Sequence, residues 1–128
     1  MERKGAVSLW LGKLDSKEEL NRLLKIEYDE DGDLIPSKFS TLFKTGRYND
    51  STREASYEEF PSASLPELLK GFSYDSILIP QFSNCTLDRE FTDYNTILLL
   101  YDFEYSQELQ VFDEDNVYFE FVGVASYA

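Results

Sequence analysis

Four consecutive apolar residues, Ile97-Leu-Leu-Leu100, constrain the fold of this chain more than any other feature. A strand with one face in water alternates apolar and polar residues, whereas an unbroken apolar run is typical of a central strand that is buried on both faces. The run then passes into alternation, which predicts an aromatic side and an acidic side of the strand: Tyr101, Phe103 and Tyr105 against Asp102 and Glu104.

Local patterns predict the other elements. They are strands at 6–11, 54–60 and 117–124, a helix that begins at the capping box of Ser16 and Glu19, and short helices near 39–43 and after Ser64. Trp10 is expected in the core, with its indole N–H bonded to a carbonyl. Residues 73–84 fit a helix or a strand, because Pro80 limits both, and a helix or irregular structure is favoured.

This order of elements predicts an α+β fold in a single domain that spans residues 1–128. We expect an antiparallel or mixed β-sheet of about four strands, with helices packed on one face. A chain of this length can bury about two-thirds of its unfolded surface, so it needs no disulfide or metal to fold.

The charges are unevenly distributed, since all 12 basic residues lie at or before Arg89 and nine of the 25 acidic residues follow it. These nine acids alternate with ten aromatic residues, which predicts strands with an acidic, aromatic outer face. Such a face attracts cationic proteins and repels nucleic acid and anionic lipid. The plainer alternative is an ordinary acidic surface that keeps the protein in solution.

The residue inventory excludes most catalytic machinery. Because the chain has no His and only one Cys, Cys85, it lacks Ser-His-acid and Cys-His arrangements and the usual zinc ligand sets. It has no glycine-rich phosphate loop of standard spacing. The lone cysteine, a short N-terminal apolar run and the lack of any membrane-length apolar segment favour a cytoplasmic protein. We therefore predict a protein that is not an enzyme and needs no cofactor or metal.

The acidic segment Tyr28-Asp-Glu-Asp-Gly-Asp33 is predicted to be an exposed loop, since Asp31-Gly32 is a strong turn pair. It also resembles a calcium-binding loop when Gly32 is placed at the sixth position of that motif. The match fails at the twelfth position, where Lys38 replaces the bidentate Glu. A turn or a binding loop is the favoured interpretation, and a calcium site is the alternative.

Four segments, in order, resemble the immunity protein 22 family of bacterial polymorphic toxin systems. They are Val7-Ser-Leu-Trp-Leu-Gly12, Tyr28-Asp-Glu-Asp-Gly-Asp-Leu-Ile-Pro-Ser-Lys-Phe39, Gly71-Phe-Ser-Tyr-Asp-Ser-Ile-Leu-Ile-Pro-Gln-Phe82 and Ile97-Leu-Leu-Leu-Tyr-Asp-Phe-Glu-Tyr105. The resemblance runs from about Val7 to Tyr127. It implies an α+β cytoplasmic protein, without enzymatic activity, that protects its own cell by binding and blocking a toxin.

The leading hypothesis is an immunity protein that occludes a cognate toxin, which is basic and a candidate nuclease, through an acidic and aromatic surface. The expected partner is this protein toxin, and neither nucleic acid nor membrane. Two alternatives stay open: a small carboxylate enzyme or calcium module around Asp29, Asp31 and Asp33, and a general acidic interaction domain. The candidate toxin-binding residues are Tyr28, Asp29, Glu30, Asp31, Asp33, Tyr74, Asp102, Glu104, Asp113, Glu114 and Asp115.

Overall fold

The computed structural model describes residues 1–46, 48, 50–86 and 93–128, so Glu90 and Phe91 of the acidic, aromatic segment lie outside the described residues. The described strands are β1 (Glu2–Lys13), β2 (Glu27–Tyr28), β3 (Leu34–Ile35), β4 (Arg53–Ser62), β5 (Tyr94–Phe103), β6 (Val111–Glu114) and β7 (Val117–Ser126). The described helices are α1 (Lys17–Leu24), α2 (Lys38–Phe43), α3 (Leu65–Leu69) and α4 (Asp75–Cys85), with a 3₁₀ turn at Asp50–Thr52.

Five strands form one antiparallel sheet in the order β4-β5-β1-β7-β6, and β2 pairs with β3 in a separate two-stranded ribbon. Strand β1 lies at the centre. It pairs with β5 from Val7 opposite Tyr101 to Gly12 opposite Thr96, and with β7 on its other side. The predicted α+β class and antiparallel sheet are confirmed, with five strands in place of about four.

Helices cover both faces of the sheet, which corrects the prediction of helices on one face. Each face carries a buried cluster, and we call the two faces the α3–α4 face and the α1–α2 face after the helices that cover them. The α3–α4 face includes Leu9, Leu11, Ile97, Leu99, Leu68, Leu78 and Phe82. The α1–α2 face includes Trp10, Leu98, Leu100, Leu20, Leu23, Phe39 and Phe43. Because β1 and β5 are apolar at successive positions, both of their faces must be kept from water.

Serine side chains start three of the helices. The Oγ atoms of Ser16, Ser37 and Ser64 accept hydrogen bonds from backbone N–H groups three residues later, which satisfies otherwise unpaired donors of the first turn. Helix α4 begins differently, after Tyr74 in the left-handed region at φ 62°. It spans Asp75–Cys85, so the ambiguous segment 73–84 is largely helical, and Pro80 lies inside the helix.

The alternation predicted for residues 101–105 is broken at Asp102, which has φ 57° inside strand β5. Tyr101 packs in the α3–α4 face, whereas Phe103 and Tyr105 pack in the α1–α2 face, so the three aromatic residues do not share one side. The predicted acidic outer sheet face is therefore wrong, because helices occupy both faces. Most of the described carboxylates lie at strand ends, in turns and at the sheet edge, whereas Glu120 lies within β7.

Trp10 is the centre of an aromatic cluster on the α1–α2 face. Its ring centroid lies 5.1 Å from each of the ring centroids of Phe39, Tyr105 and Phe121. The indole Nε1 is buried and has no hydrogen-bond partner within the part of the chain that the structure describes. The expectation that a carbonyl would accept this N–H was wrong, and the indole instead packs among the rings of Phe39, Phe43, Tyr105 and Phe121.

We expect Trp10→Ala to lower the free energy of unfolding by about 3–5 kcal/mol, the usual cost of emptying a large aromatic site. Trp10→Phe should cost less than half as much, because it keeps an aromatic ring and removes a buried donor that has no acceptor. Urea unfolding measures both changes. Phe60→Ala is the control, since Phe60 is 83% exposed. An equal decrease in the free energy of unfolding for the two Trp10 variants would contradict this account.

Candidate functional site

The β2–β3 hairpin carries the predicted acidic loop. One carboxylate oxygen of Asp29, Oδ1, accepts hydrogen bonds from the backbone N–H groups of Asp31 and Asp33, both at 2.9 Å. Gly32 sits between them at φ 82°, a conformation that glycine adopts without strain. Asp29, Glu30, Asp31 and Asp33 are all exposed, so the prediction of an exposed acidic turn is confirmed.

The ligand-capable oxygens of Asp29, Asp31 and Asp33 lie within 4.8 Å of one another. Asp29 already uses Oδ1 to hold the turn, and Lys38 starts helix α2 at the position where a calcium loop has its bidentate Glu. All three carboxylates are exposed, so the turn presents negative charge to solvent.

A groove of about 540 Å³ lies beside this loop. Apolar side chains of Ile26, Leu34 and Pro36 line it together with the rings of Tyr28 and Tyr48. Tyr28 is 67% exposed, so its ring stands at the rim of the groove, next to the acidic turn. The hairpin therefore combines negative charge with accessible apolar and aromatic surface, which is the composition of many protein interfaces.

A second cavity, of about 310 Å³, brings together three tyrosines and two carboxylates. We call it the tyrosine pocket, defined by Glu54, Tyr74, Tyr101, Asp102 and Tyr127. The rings of Tyr74 and Tyr127 stack with centroids 4.6 Å apart, and the ring of Tyr101 lies 6.1 Å from Tyr127 at 67°. Strands β4 and β5, the residue before α4 and the segment after β7 all contribute to it.

Hydrogen bonds hold the two carboxylates of the tyrosine pocket in place. The hydroxyl of Tyr101 lies 2.9 Å from Glu54 Oε1, and both the N–H and the hydroxyl of Ser73 donate to Glu54. Asp102 Oδ1 accepts hydrogen bonds from the Tyr127 hydroxyl and, at 2.9 Å, from the Gly5 N–H. Each carboxylate is therefore fixed by donors from distant parts of the chain.

These hydrogen bonds shift the titration of the groups in the tyrosine pocket. Burial raises the pKa of Glu54, but the donors on Ser73 and Tyr101 outweigh it and hold that pKa below its ordinary value. The Tyr127 hydroxyl and the Gly5 N–H hold the pKa of Asp102 low as well. Burial, followed by the bond to Glu54, raises the pKa of Tyr101. At neutral pH the carboxylates of Glu54 and Asp102 are thus ionised and lie beside the neutral hydroxyls of Tyr101 and Tyr127.

The β6–β7 hairpin presents another acidic group. Asp113, Glu114 and Asp115 are exposed, and none of them has a salt bridge to any described residue. Asp115 and Asn116 both have positive φ, at 53° and 63°, which gives the two-residue turn that suits an antiparallel hairpin. This short edge strand with charged side chains also discourages pairing with other chains.

The sheet separates these acidic groups. Strands β5 and β7 both run antiparallel to β1, so Asp102, at the end of β5, and Asp115, before the start of β7, lie at opposite ends of the sheet. Arg53 pairs with Leu100, near the end of β5, and its guanidinium donates a hydrogen bond to the carbonyl of Leu24, the last residue of α1. The end of α1 therefore lies at the Asp102 end of the sheet, and the β2–β3 hairpin follows it there. The hairpin and the tyrosine pocket therefore share one end.

Glu104 serves mainly as a tether for the N-terminal strand. Its carboxylate forms an ion pair with Arg3, and its carbonyl accepts a hydrogen bond from the amino group of Met1. Its backbone N–H donates to the Met1 carbonyl at 2.8 Å. The charge of Glu104 is thus paired with Arg3. The exposed acids from Asp29 to Asp33 have no salt bridge to any described residue.

Sequence reasoning placed Tyr74 and Asp102 among the candidates but missed Glu54, Tyr101 and Tyr127. Tyr101 was placed on the same side as Phe103, and Tyr127 lies beyond the last predicted strand. No spacing along the chain links these five residues, because they meet only through the antiparallel sheet. The abundance of tyrosine near acidic residues was the one signal available from the sequence.

These features define a small, acidic α+β protein with carboxylates exposed in two hairpin turns and with the rings of Tyr28 and Tyr74 exposed as well. The chain belongs to the immunity protein 22 family, whose model matches residues 7–128, as the resemblance implied. Its function is therefore an immunity function. No curated protein and no solved structure matches the chain. None of the described helices has the length and apolar character that a membrane span requires.

The lowered pKa values of Glu54 and Asp102 predict a pH dependence of stability. A carboxylate with a lowered pKa in the folded state stabilises that state above its ordinary pKa, and this contribution is lost as the pH falls toward the folded pKa. The free energy of unfolding should therefore fall as the pH drops below the ordinary values of 4.5 for Glu54 and 3.8 for Asp102.

Urea unfolding of wild type and of Glu54→Gln/Asp102→Asn between neutral pH and pH 3 measures this effect. The double variant should have a lower free energy of unfolding than wild type at neutral pH. This difference in free energy, the gap between the two proteins, should narrow in acid. Asp113→Asn/Glu114→Gln is the control, since it removes the same charge from an exposed hairpin. A gap that stays constant with pH would contradict the role given to these two carboxylates.

Proposed function

We propose that this protein, acting as one domain over residues 1–128, binds a cognate toxin and blocks the toxin's active surface. The toxin is cationic in this proposal, and a nuclease is the favoured class because nucleases use Lys and Arg to hold phosphates. Inhibition needs no chemistry from the immunity protein. The encounter takes place in the cytoplasm of the bacterial cell that makes both proteins.

The observation that carries this proposal is the surplus of exposed carboxylates in a member of an immunity family. The chain has a net charge of -13, and the described residues contain only three salt bridges: Arg3 to Glu104, Arg22 to Glu19 and Lys25 to Glu27. Most acidic side chains are thus available to a cationic partner. Such clustering costs stability through self-repulsion, which favours a role in recognition.

The Asp102 end of the sheet is the proposed contact surface. It combines the turn Asp29–Asp33, the groove beside Tyr28 and the tyrosine pocket. Buried apolar and aromatic contacts lower the dissociation rate, while charge raises the association rate. The Asp113–Asp115 group, at the other end, supports the proposal through the long-range field alone.

Opposite charge can raise association rates to about 10⁸–10⁹ M⁻¹s⁻¹ at low salt. Rapid capture suits an immunity protein, because each free toxin molecule is active until it is bound. Exposed charges are screened over about 8 Å at physiological ionic strength, so the rate should fall as salt increases. Apolar contacts at the groove are not screened in this way.

A direct test expresses the toxin encoded next to this gene, with and without this protein. Rescue of growth and co-purification of the two proteins are the expected results. Survival that is unchanged by this protein, together with no complex on purification, would reject the proposed function. It would favour the alternative of a general acidic interaction domain.

Two charge-matched triple variants locate the interface. Asp29→Asn/Asp31→Asn/Asp33→Asn keeps the Asn oxygen that accepts the turn hydrogen bonds, and Asp113→Asn/Glu114→Gln/Asp115→Asn removes the same charge at the far end. Both should slow association at low salt. The hairpin variant alone should raise the dissociation rate, by about tenfold, because it loses direct contacts.

Surface plasmon resonance at about 50 and 500 mM salt, well on either side of physiological screening, measures both rates. An association rate that is indifferent to salt would overturn the electrostatic part of the proposal. Faster dissociation for the Asp113–Asp115 variant alone would move the interface to the other end of the sheet.

The calcium alternative rests on the closeness of Asp29, Asp31 and Asp33. Isothermal titration of this protein with calcium chloride separates it from the proposal. We expect no saturable heat at millimolar calcium, because the loop lacks the bidentate Glu of the calcium motif. A saturable heat that Asp31→Asn abolishes would support the calcium alternative.

A further inference from the structure

We infer that the tyrosine pocket receives an arginine side chain of the toxin. This inference rests on the proposed function and adds to it a specific contact and its chemistry. The pocket has a volume of about 310 Å³, which exceeds that of one long side chain, and it opens at the surface beside Tyr74, which is 50% exposed.

The three rings supply flat faces for a planar cation. Tyr74 and Tyr127 stack on each other, and Tyr101 stands edge-on to Tyr127 with ring centroids 6.1 Å apart. Tyr101 is only 8% exposed, so the inner wall of the pocket is shielded from water. A guanidinium over such rings gains cation–π attraction, which is stronger where water is excluded.

The carboxylates supply matching charge with unused acceptor capacity. Asp102 Oδ1 accepts two hydrogen bonds, whereas Oδ2 accepts none from the residues that the structure describes. Glu54 Oε2 accepts one, from the Ser73 hydroxyl. A guanidinium has five N–H donors in one plane, so it can stack on a tyrosine and bond to a carboxylate at the same time.

Among the described residues, no arginine or lysine forms a salt bridge with Glu54 or Asp102. Arg53 is nevertheless one of the residues that line the pocket, and the charge of Lys4 helps to hold the pKa of Asp102 low. Arg53 lies next to Glu54 in strand β4, where successive side chains point to opposite faces of the sheet. Its guanidinium donates to the carbonyl of Leu24, on the side of helix α1. Asp75, which starts helix α4, adds a further negative charge near Tyr101. The three carboxylates of Glu54, Asp75 and Asp102 outnumber Lys4 and Arg53 among the described groups around the pocket, so its surroundings are net negative and suited to a cation from outside.

Two rim residues have backbone conformations that side chains seldom adopt. Tyr74 has φ 62° and Asp102 has φ 57°, and neither lies in a two-residue hairpin turn. Such conformations are strained and persist where surrounding contacts hold them, most often at functional sites. The hydrogen bond from Gly5 to Asp102 and the stacking of Tyr74 on Tyr127 are those contacts here.

The first experiment titrates the free protein with three small probes: N-acetyl-arginine amide, N-acetyl-lysine amide and the uncharged isostere N-acetyl-citrulline amide. NMR of ¹³C-labelled tyrosine rings reports binding at Tyr74, Tyr101 and Tyr127. We expect the arginine probe to shift these signals at millimolar concentration, the lysine probe to bind more weakly, and the citrulline probe to have no effect.

Glu54→Gln should abolish the response to the arginine probe, and Tyr74→Phe, which keeps the ring, should retain it. Glu59→Gln is the matched control, because Glu59 is an exposed acid on the same strand. No shift with the arginine probe at about 100 mM, or equal shifts with arginine and citrulline, would overturn the inference. This concentration is far above the millimolar affinity expected for a single stacked ion pair.

The second experiment uses the complex with the toxin. Tyr74→Ala and Glu54→Gln should each raise the Kd by about tenfold or more, while Phe60→Ala, an exposed aromatic control, should not change it. Circular dichroism confirms that each variant is folded. Unchanged affinity in both pocket variants would overturn the inference and leave the proposed function intact, whereas a wild-type protein that does not bind the toxin would reject the proposed function itself.

Discussion

The pairing of strand β1 with both β5 and β7 is the constraint on which the rest of the structure depends. Successive side chains of β1 enter different cores, with Leu9 and Leu11 in the α3–α4 face and Trp10 in the α1–α2 face. A shift of one residue would exchange these two sets, so the register is fixed by burial on both sides. Every helix packs against a face that this register creates.

The same pairing assembles the candidate site. Because β5 and β7 run in the same direction beside β1, their final residues meet at the start of β1, where Gly5 bonds to Asp102 and to Tyr127. Regular pairing of β1 with β5 is interrupted there, between Glu2 and Val7. The tyrosine pocket thus occupies the place where the otherwise regular sheet departs from ideal geometry, as functional sites often do.

The sequence predicted the elements whose signals are local. Ser16 and Ser64 mark helix starts that the structure confirms, the run Ile97–Leu100 is a buried strand, and Asp31-Gly32 is a turn. Prediction was undecided or failed where distant contacts decide. Residues 73–84 were ambiguous, with a helix or irregular structure favoured, and they form helix α4, which packs against β7 and α3. The prediction of helices on one face failed because β1 and β5 are apolar at successive positions and both sheet faces are covered. The tyrosine pocket has no local signal at all.

The separation of acidic groups explains how charge and specificity can be divided within one small protein. The Asp113–Asp115 turn lies at one end of the sheet, and the Asp29–Asp33 turn and the tyrosine pocket lie at the other. Charge at both ends adds to the field that attracts a cationic partner over distance. Close contact requires more than charge, because each carboxylate that becomes buried loses its hydration. The end with the Asp29–Asp33 turn also has the tyrosine pocket and the apolar groove, whose contacts can offset that loss.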